Sequence, residues 1–224
     1  MPLMLRDGVV FLHAPKTGGN WVTSVLEEQG LVDFAFGHKH ADAAHLTAPP
    51  FRSKRGGEYV RYVRAMLRLR HMQEQRFFYT VRNPFDWYES WFKYQGSDKR
   101  QWRNWGAPPN PFQWHVNSPL NCEAPASFSE FMTFVTDKVP GYATRLFGQY
   151  RAIGPAHVLK NETLAEDLCH ALTAYGLPHD RERIMTAGRV GESPSQQIEW
   201  DPALRQKVRD LDRAAFVEYG YELD

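Results

Sequence analysis

Between Gly8 and Gly30 the chain reads GVVFLHAPKTGGNWVTSVLEEQG, and no other stretch limits its possible folds so tightly. GVVFLH is short, β-branched and aromatic, and Pro15 stops it, which is the pattern of a buried strand. Lys16-Thr17-Gly18-Gly19 then turns the chain. In the helix that follows, Trp21, Val22, Val25 and Leu26 share one face before Gly30 closes the end. A strand that passes through a glycine turn into a helix start aims unpaired backbone N–H groups and the positive end of the helix dipole at one spot. That is an anion site. The glycines allow close approach, Lys16 adds a mobile positive charge, and Thr17 and Asn20 add donors.

The same alternation continues along the chain. DFAFGH from Asp33, RFFYTV over Arg76 to Val81 and AHVLKN over Ala156 to Asn161 read as further strands. Asn83-Pro84 ends one strand and opens a helix with Trp87, Trp91 and Tyr94 on its core face. Ser127 with Glu130, and Thr163 with Glu166, have the spacing of capping boxes, and Asp201-Pro202 starts a last helix that runs on to Gly220. Strands alternating with helices predict an α/β fold in three layers, helices covering both faces of a central, mostly parallel sheet. At 224 residues the whole chain, 1–224, is expected to be one domain. Residues 96–125 break the pattern with five prolines and Trp102, Trp105 and Trp114, and read as a long irregular loop insert on the substrate side.

Composition narrows the function. With 42% hydrophobic residues the chain can build a core without metal or disulfide, and Cys122 and Cys169 read as ordinary reduced thiols. A formal net charge of +1 argues against a general nucleic-acid binder, so any anion site must be local. No apolar run approaches the roughly 18 residues of a membrane span, and MPLMLRDGVVFLHAP lacks the layout of a secretory leader. A cytoplasmic protein with no membrane span is the expectation. Residues 52–76 carry eight basic side chains and two acids, either a solvated helix face or an approach path for an anionic substrate.

The order of the loop residues excludes the commonest phosphate loop. A Walker A loop, GxxxxGK[ST], places its lysine after the glycines and a hydroxyl beside it for Mg²⁺. Here Lys16 precedes Gly18 and Gly19, and the chain holds no Walker sequence elsewhere. PKTGGNW directly after a strand instead resembles the 5′-phosphosulfate loop of sulfotransferases that use 3′-phosphoadenosine 5′-phosphosulfate, PAPS. FFYTVRNPFDWYESWF is similar to that family's 3′-phosphate element, with Arg82 leaving a strand and Ser90 eight residues on. HVLKNETLAEDL and the ending FVEYGYEL resemble later family segments, and GRVGESPSQ, from Gly188, occupies the place of a loop that closes over the nucleotide. The resemblance implies a P-loop NTPase-like sulfotransferase fold. It assigns Lys16, Thr17, Gly18, Gly19 and Asn20 to the phosphosulfate, Arg82 and Ser90 to the 3′-phosphate, and Trp21 and Arg189 to the nucleotide.

The implied reaction is in-line sulfuryl transfer to a hydroxyl or amine of a small-molecule or glycan acceptor, releasing the bisphosphate PAP without a metal. Lys16 would neutralise charge on the bridging oxygen and leaving phosphate. The acceptor must lose a proton, and a histidine suits that task. Relatives carry a catalytic histidine near the end of the second strand, which here ends in GHKHADAAHL. His40 is the first choice for the base and His38 the second, while a metal site with His45 as third ligand has no spacing in its favour. Two other classes compete: an ATP- and Mg-dependent P-loop phosphotransferase, and a nucleotide-binding module without turnover.

Overall fold

The sheet begins upstream of the strand predicted from Gly8. In the computed structural model, which describes residues 1–47, 56–71, 76–97, 102, 115–188 and 198–223, β1 (Leu3–Leu5) turns through Arg6–Gly8 into β2 (Val10–Leu12). Asp7 and Gly8 both take positive φ, 57° and 76°, and the Leu5 amide donates to the Val9 carbonyl at 2.8 Å. Asp-Gly between apolar runs is a hairpin signal in its own right. A three-residue strand is too short for periodicity to show it.

Strands β3 (Val32–Ala35), β4 (Phe77–Val81) and β5 (Ala156–Lys160) complete the order β3-β1-β2-β4-β5. Parallel pairing joins β2 to β4, with Phe11 opposite Phe78, and β4 to β5, with Tyr79 opposite Val158. β1 is antiparallel to both β2 and β3. Reversed against both neighbours, β1 leaves β3 pointing the same way as β2, β4 and β5. The sheet is therefore mixed with a parallel core, and four strands end at one edge. Where open α/β sheets bind ligands, they bind outside such an edge.

The helices are α1 (Gly19–Glu28), α2 (Ala43–Thr47), α3 (Gly56–His71), α4 (Pro84–Gln95), α5 (Phe128–Lys138), α6 (Tyr142–Arg151), α7 (Leu164–Ala174), α8 (Arg181–Met185), α9 (Pro202–Leu211) and α10 (Arg213–Glu218). Among the described residues no helix is long and apolar enough to cross a membrane. The chain forms two compact units. Met1–Arg82 with Gln149–Gly191 is the first, and it holds the whole sheet. Leu5, Phe11, Phe78 and Leu159 are buried with Trp21, Val25 and Leu26 of α1 and with Leu168, Cys169 and Leu172 of α7. Each such side chain contributes about 1.5–3 kcal/mol on burial. The Cys169 thiol, pushed up by that burial, is an inert packing group.

Caps in the first unit depart from the predicted pattern at α7. The Thr163 hydroxyl donates to Asp167 rather than capping a helix N–H, and the same Asp167 oxygen accepts the Lys160 amide, both at 2.8 Å. Asp167 thus ties the exit of β5 to α7.

Asn83–Gly148 with Glu192–Asp224 is the second unit, and its described regular structure is helical. Trp87 and Trp91 stack at 6.1 Å in its core, as their spacing predicts. Ser127 accepts the Glu130 amide at 3.1 Å, and Glu130 reaches back to the Ala126 amide at 2.7 Å. The single last helix predicted from Asp201 breaks at Asp212 into α9 and α10. Buried Asp212 accepts the Tyr88 hydroxyl at 2.7 Å and the Thr144 amide at 2.8 Å, bonds that hold it at the break. Of the irregular stretch 96–125, the part from 115 on is described. There Asn117 and Val116 are buried, and the Tyr142 hydroxyl, with its one proton, lies 2.9 Å from both the Val116 carbonyl oxygen and Asn117 Oδ1. Trp102 packs on Phe92 and Phe131, whereas Trp105 and Trp114 lie outside the described residues.

Candidate anion and acid–base site

The loop after β2 is held from below. Lys16 (φ 63°) and Gly18 (φ 83°) are both left-handed, so the chain turns sharply into α1. Buried Thr17 donates its hydroxyl proton to the Ala14 carbonyl at 2.8 Å, and its Oγ1 lies 2.5 Å from that of Thr80 on β4. Thr17 has one hydroxyl proton, already given to Ala14, so Thr80 is the donor of this second bond. The Thr17 hydroxyl is therefore committed to the fold, and what the residue can offer an anion is its backbone N–H.

Gly18 is the N-cap of α1, and no side chain caps that helix start. Its first N–H groups have no intrahelical partner by construction. A Cβ on Gly18 would lie 2.6 Å from Asn161 Nδ2 and 2.7 Å from Leu164 Cδ2, so the exit of β5 covers the loop closely. A Cβ on Gly19 would overlap the His13 ring, lying 2.6 Å from its Cγ and Nε2. Asn20 is exposed on the first turn. Trp21, expected against the nucleotide, is in the core, its Nε1 donating to the Ala187 carbonyl at 3.4 Å. Arg189 lies outside the described residues.

Arg82 leaves β4 half-buried, and its Nε is buried with no hydrogen-bond partner among the described residues. A desolvated guanidinium donor left open is costly, and an anion is the partner that satisfies it best. Ser90 is buried on α4 in the second unit, so the two residues of the predicted 3′-phosphate element belong to different units.

On the acid–base side, His40 Nδ1 lies 3.0 Å from the His13 carbonyl oxygen, and the Tyr150 hydroxyl donates to the His40 carbonyl at 2.9 Å. A carbonyl can only accept, so in the neutral ring the proton sits on Nδ1 and the lone pair on Nε2. That is the tautomer of a base acting through Nε2. Its ring meets that of His13 edge-on at 4.8 Å. His38 is exposed, with its ring 6.4 Å from that of His45. His45 gives both its backbone N–H (3.0 Å) and Nδ1–H (2.7 Å) to Asp42, which is only 4% exposed. Burial pushes the Asp42 carboxyl up, but the His45 hydrogen bonds outweigh it and leave the group below its usual range. Sequence reasoning weighed His45 and overlooked Asp42, although Asp at the third position before a histidine is the spacing of an N-cap. Among the described residues no group of three or more His, Cys, Asp and Glu side chains is placed to hold a metal ion.

His13, 4% exposed, is held well below its ordinary value by burial and then by the charge of His40. It is neutral in the fold and protonated in the unfolded chain below about pH 6.5. The unfolded state then binds more protons, so stability is full above that pH and falls below it, by up to about 1.4 kcal/mol per pH unit. Urea unfolding at pH 7.5 and 5.5 should show this fall, and His13→Phe should reduce it. An equal slope in both proteins would contradict it.

The basic stretch is partly described. Arg64 and Arg68 of α3 both pair with Asp33, and Arg64 lies over the Phe34 ring at 4.7 Å. Arg52, Lys54 and Arg55 lie outside the described residues. In comparison with known proteins, no family model matches the chain, and neither a curated protein nor a solved structure gives a significant match.

Proposed function

We propose that this chain is a PAPS-dependent sulfotransferase acting on a hydroxyl or amine of a small-molecule or glycan acceptor, with a three-layer, P-loop NTPase-like sulfotransferase fold. The observation that carries the reading is one sheet edge in one unit: the Lys16–Gly19 loop leaves β2 there, Arg82 with its open Nε leaves β4, and His40 follows β3. Two anion-binding groups and an oriented imidazole suit a donor charged at both ends. Ser90 is assigned to the 3′-phosphate by the sequence motif alone.

In this reading the loop amides and Lys16 hold the phosphosulfate end, and Arg82 forks the 3′-phosphate. His40 Nε2 takes the acceptor proton as the new O–S bond forms. The bond from sulfur to the bridging oxygen breaks, and PAP leaves with its added charge against Lys16. Tyr150 and the His13 carbonyl keep His40 in place. The ATP- and Mg-dependent alternative needs a loop hydroxyl whose oxygen faces the metal, and the Thr17 oxygen is buried and accepts from Thr80.

Transfer of labelled sulfate from PAPS to mixed hydroxyl acceptors tests the reading. Wild type should turn over, His40→Ala should lose about 10²–10⁴-fold, and His38→Ala should lose far less. Equal losses in the two variants would remove His40 as the base. No transfer by wild type to any acceptor would favour the binding module.

A further inference from the structure

A side-chain hydrogen bond joins the candidate phosphate loop to β4 at the Thr17–Thr80 contact, and neither residue reaches solvent. Their protons run in one direction: Thr80 donates to Thr17, and Thr17 donates to the Ala14 carbonyl at the start of the loop. Lys16, between Ala14 and Thr17, is held in the left-handed region, which a residue with a Cβ keeps only where its surroundings impose it. Thr80 also stands two residues before Arg82, which follows the last residue of β4 directly. The strand that leads into the second anion group therefore also pins the first.

We propose that Thr80 is a positioning residue: its hydroxyl fixes the Lys16–Gly19 loop to β4 and couples the loop's anion site to Arg82. Thr80 touches no substrate in this scheme. It acts by removing the freedom of the loop before an anion arrives, so that binding at either end finds the other end already placed. The coupling half of the inference rests on the nucleotide reading above, whereas the loop-fixing half does not.

Two measurements separate these halves. Hydrogen exchange of the ligand-free protein should show the amides of Thr17 to Gly19 exchanging about tenfold faster in Thr80→Val, and near the wild-type rate in Thr80→Ser, which keeps the hydroxyl. Thr80→Ala, which loses the same hydroxyl, replaces the valine variant if that one does not fold. Calorimetry with adenosine 3′,5′-bisphosphate should then show Thr80→Val weakening binding about tenfold, and distinctly less in an Arg82→Ala background. Unchanged loop exchange in Thr80→Val and Thr80→Ala would overturn the positioning role. Strictly additive losses in the double variant would overturn the coupling. If wild type binds no bisphosphate, the nucleotide reading fails with its coupling half, and exchange alone decides whether Thr80 fixes the loop.

Discussion

Lys16→Ala is expected to lower sulfate transfer by about 10²–10³-fold, the loss typical of removing one preorganised group that meets developing charge. Lys16 has φ 63°, and alanine bears the same left-handed backbone strain. Lys16→Gly makes the comparison sharper: it relieves the strain and stabilises the turn by up to about 1 kcal/mol, yet it removes the same charge. Both variants should be almost inactive while differing in stability. Steady-state transfer rates and thermal melts read the two effects apart. Activity within about threefold of wild type in either variant would show that the lysine does not meet the transferring group.

Gly19→Ala is expected to cost about 1–3 kcal/mol or more in stability. The new carbon would overlap the His13 ring, and that ring, directly after β2, is buried. The damage should reach the acid–base side as well, because the carbonyl of His13 holds Nδ1 of His40. Gly37→Ala separates the two costs: Gly37 has a positive φ, 64°, which Gly19 lacks, and a Cβ there meets nothing within 4 Å. It should cost only the backbone strain, roughly 1–2 kcal/mol. Urea unfolding of Gly19→Ala and of Gly19→Ala with His13→Ala decides the cause. Shrinking the ring should return much of the stability, and no recovery in the double variant would mean that the clash lies elsewhere.

The strongest sequence signals lay where local chemistry and tertiary packing agree. The run from Gly8 to Gly30 predicted β2, the turn and α1, because Pro15, two glycines and a helical apolar face all point to one arrangement. Phe77–Val81, wholly buried, showed as an unbroken apolar and β-branched run, and Asn83-Pro84 marked the start of α4. What stayed hidden depends on contacts distant in sequence. β1 is three residues long and earns its place only by pairing on both sides, which makes the sheet mixed. The break at Asp212 comes from Tyr88 and Thr144, residues no local window contains. In the site, glycine spacing marked the loop. That Thr17 would bond to Thr80, 63 positions away, could not be read from a pattern of donors alone, whereas the hold of Asp42 on His45, three residues on, was within reach of the local spacing.

The proposed function requires paired anion groups that would take a doubly phosphorylated adenosine without a metal. Isothermal titration of the protein with adenosine 3′,5′-bisphosphate in excess chelator, beside titration with Mg-ATP, measures this directly. The predicted result is clear heat from the bisphosphate, weakened about 10–100-fold by Arg82→Ala, and far weaker binding of Mg-ATP. Tight, magnesium-dependent ATP binding with no response to the bisphosphate would contradict it.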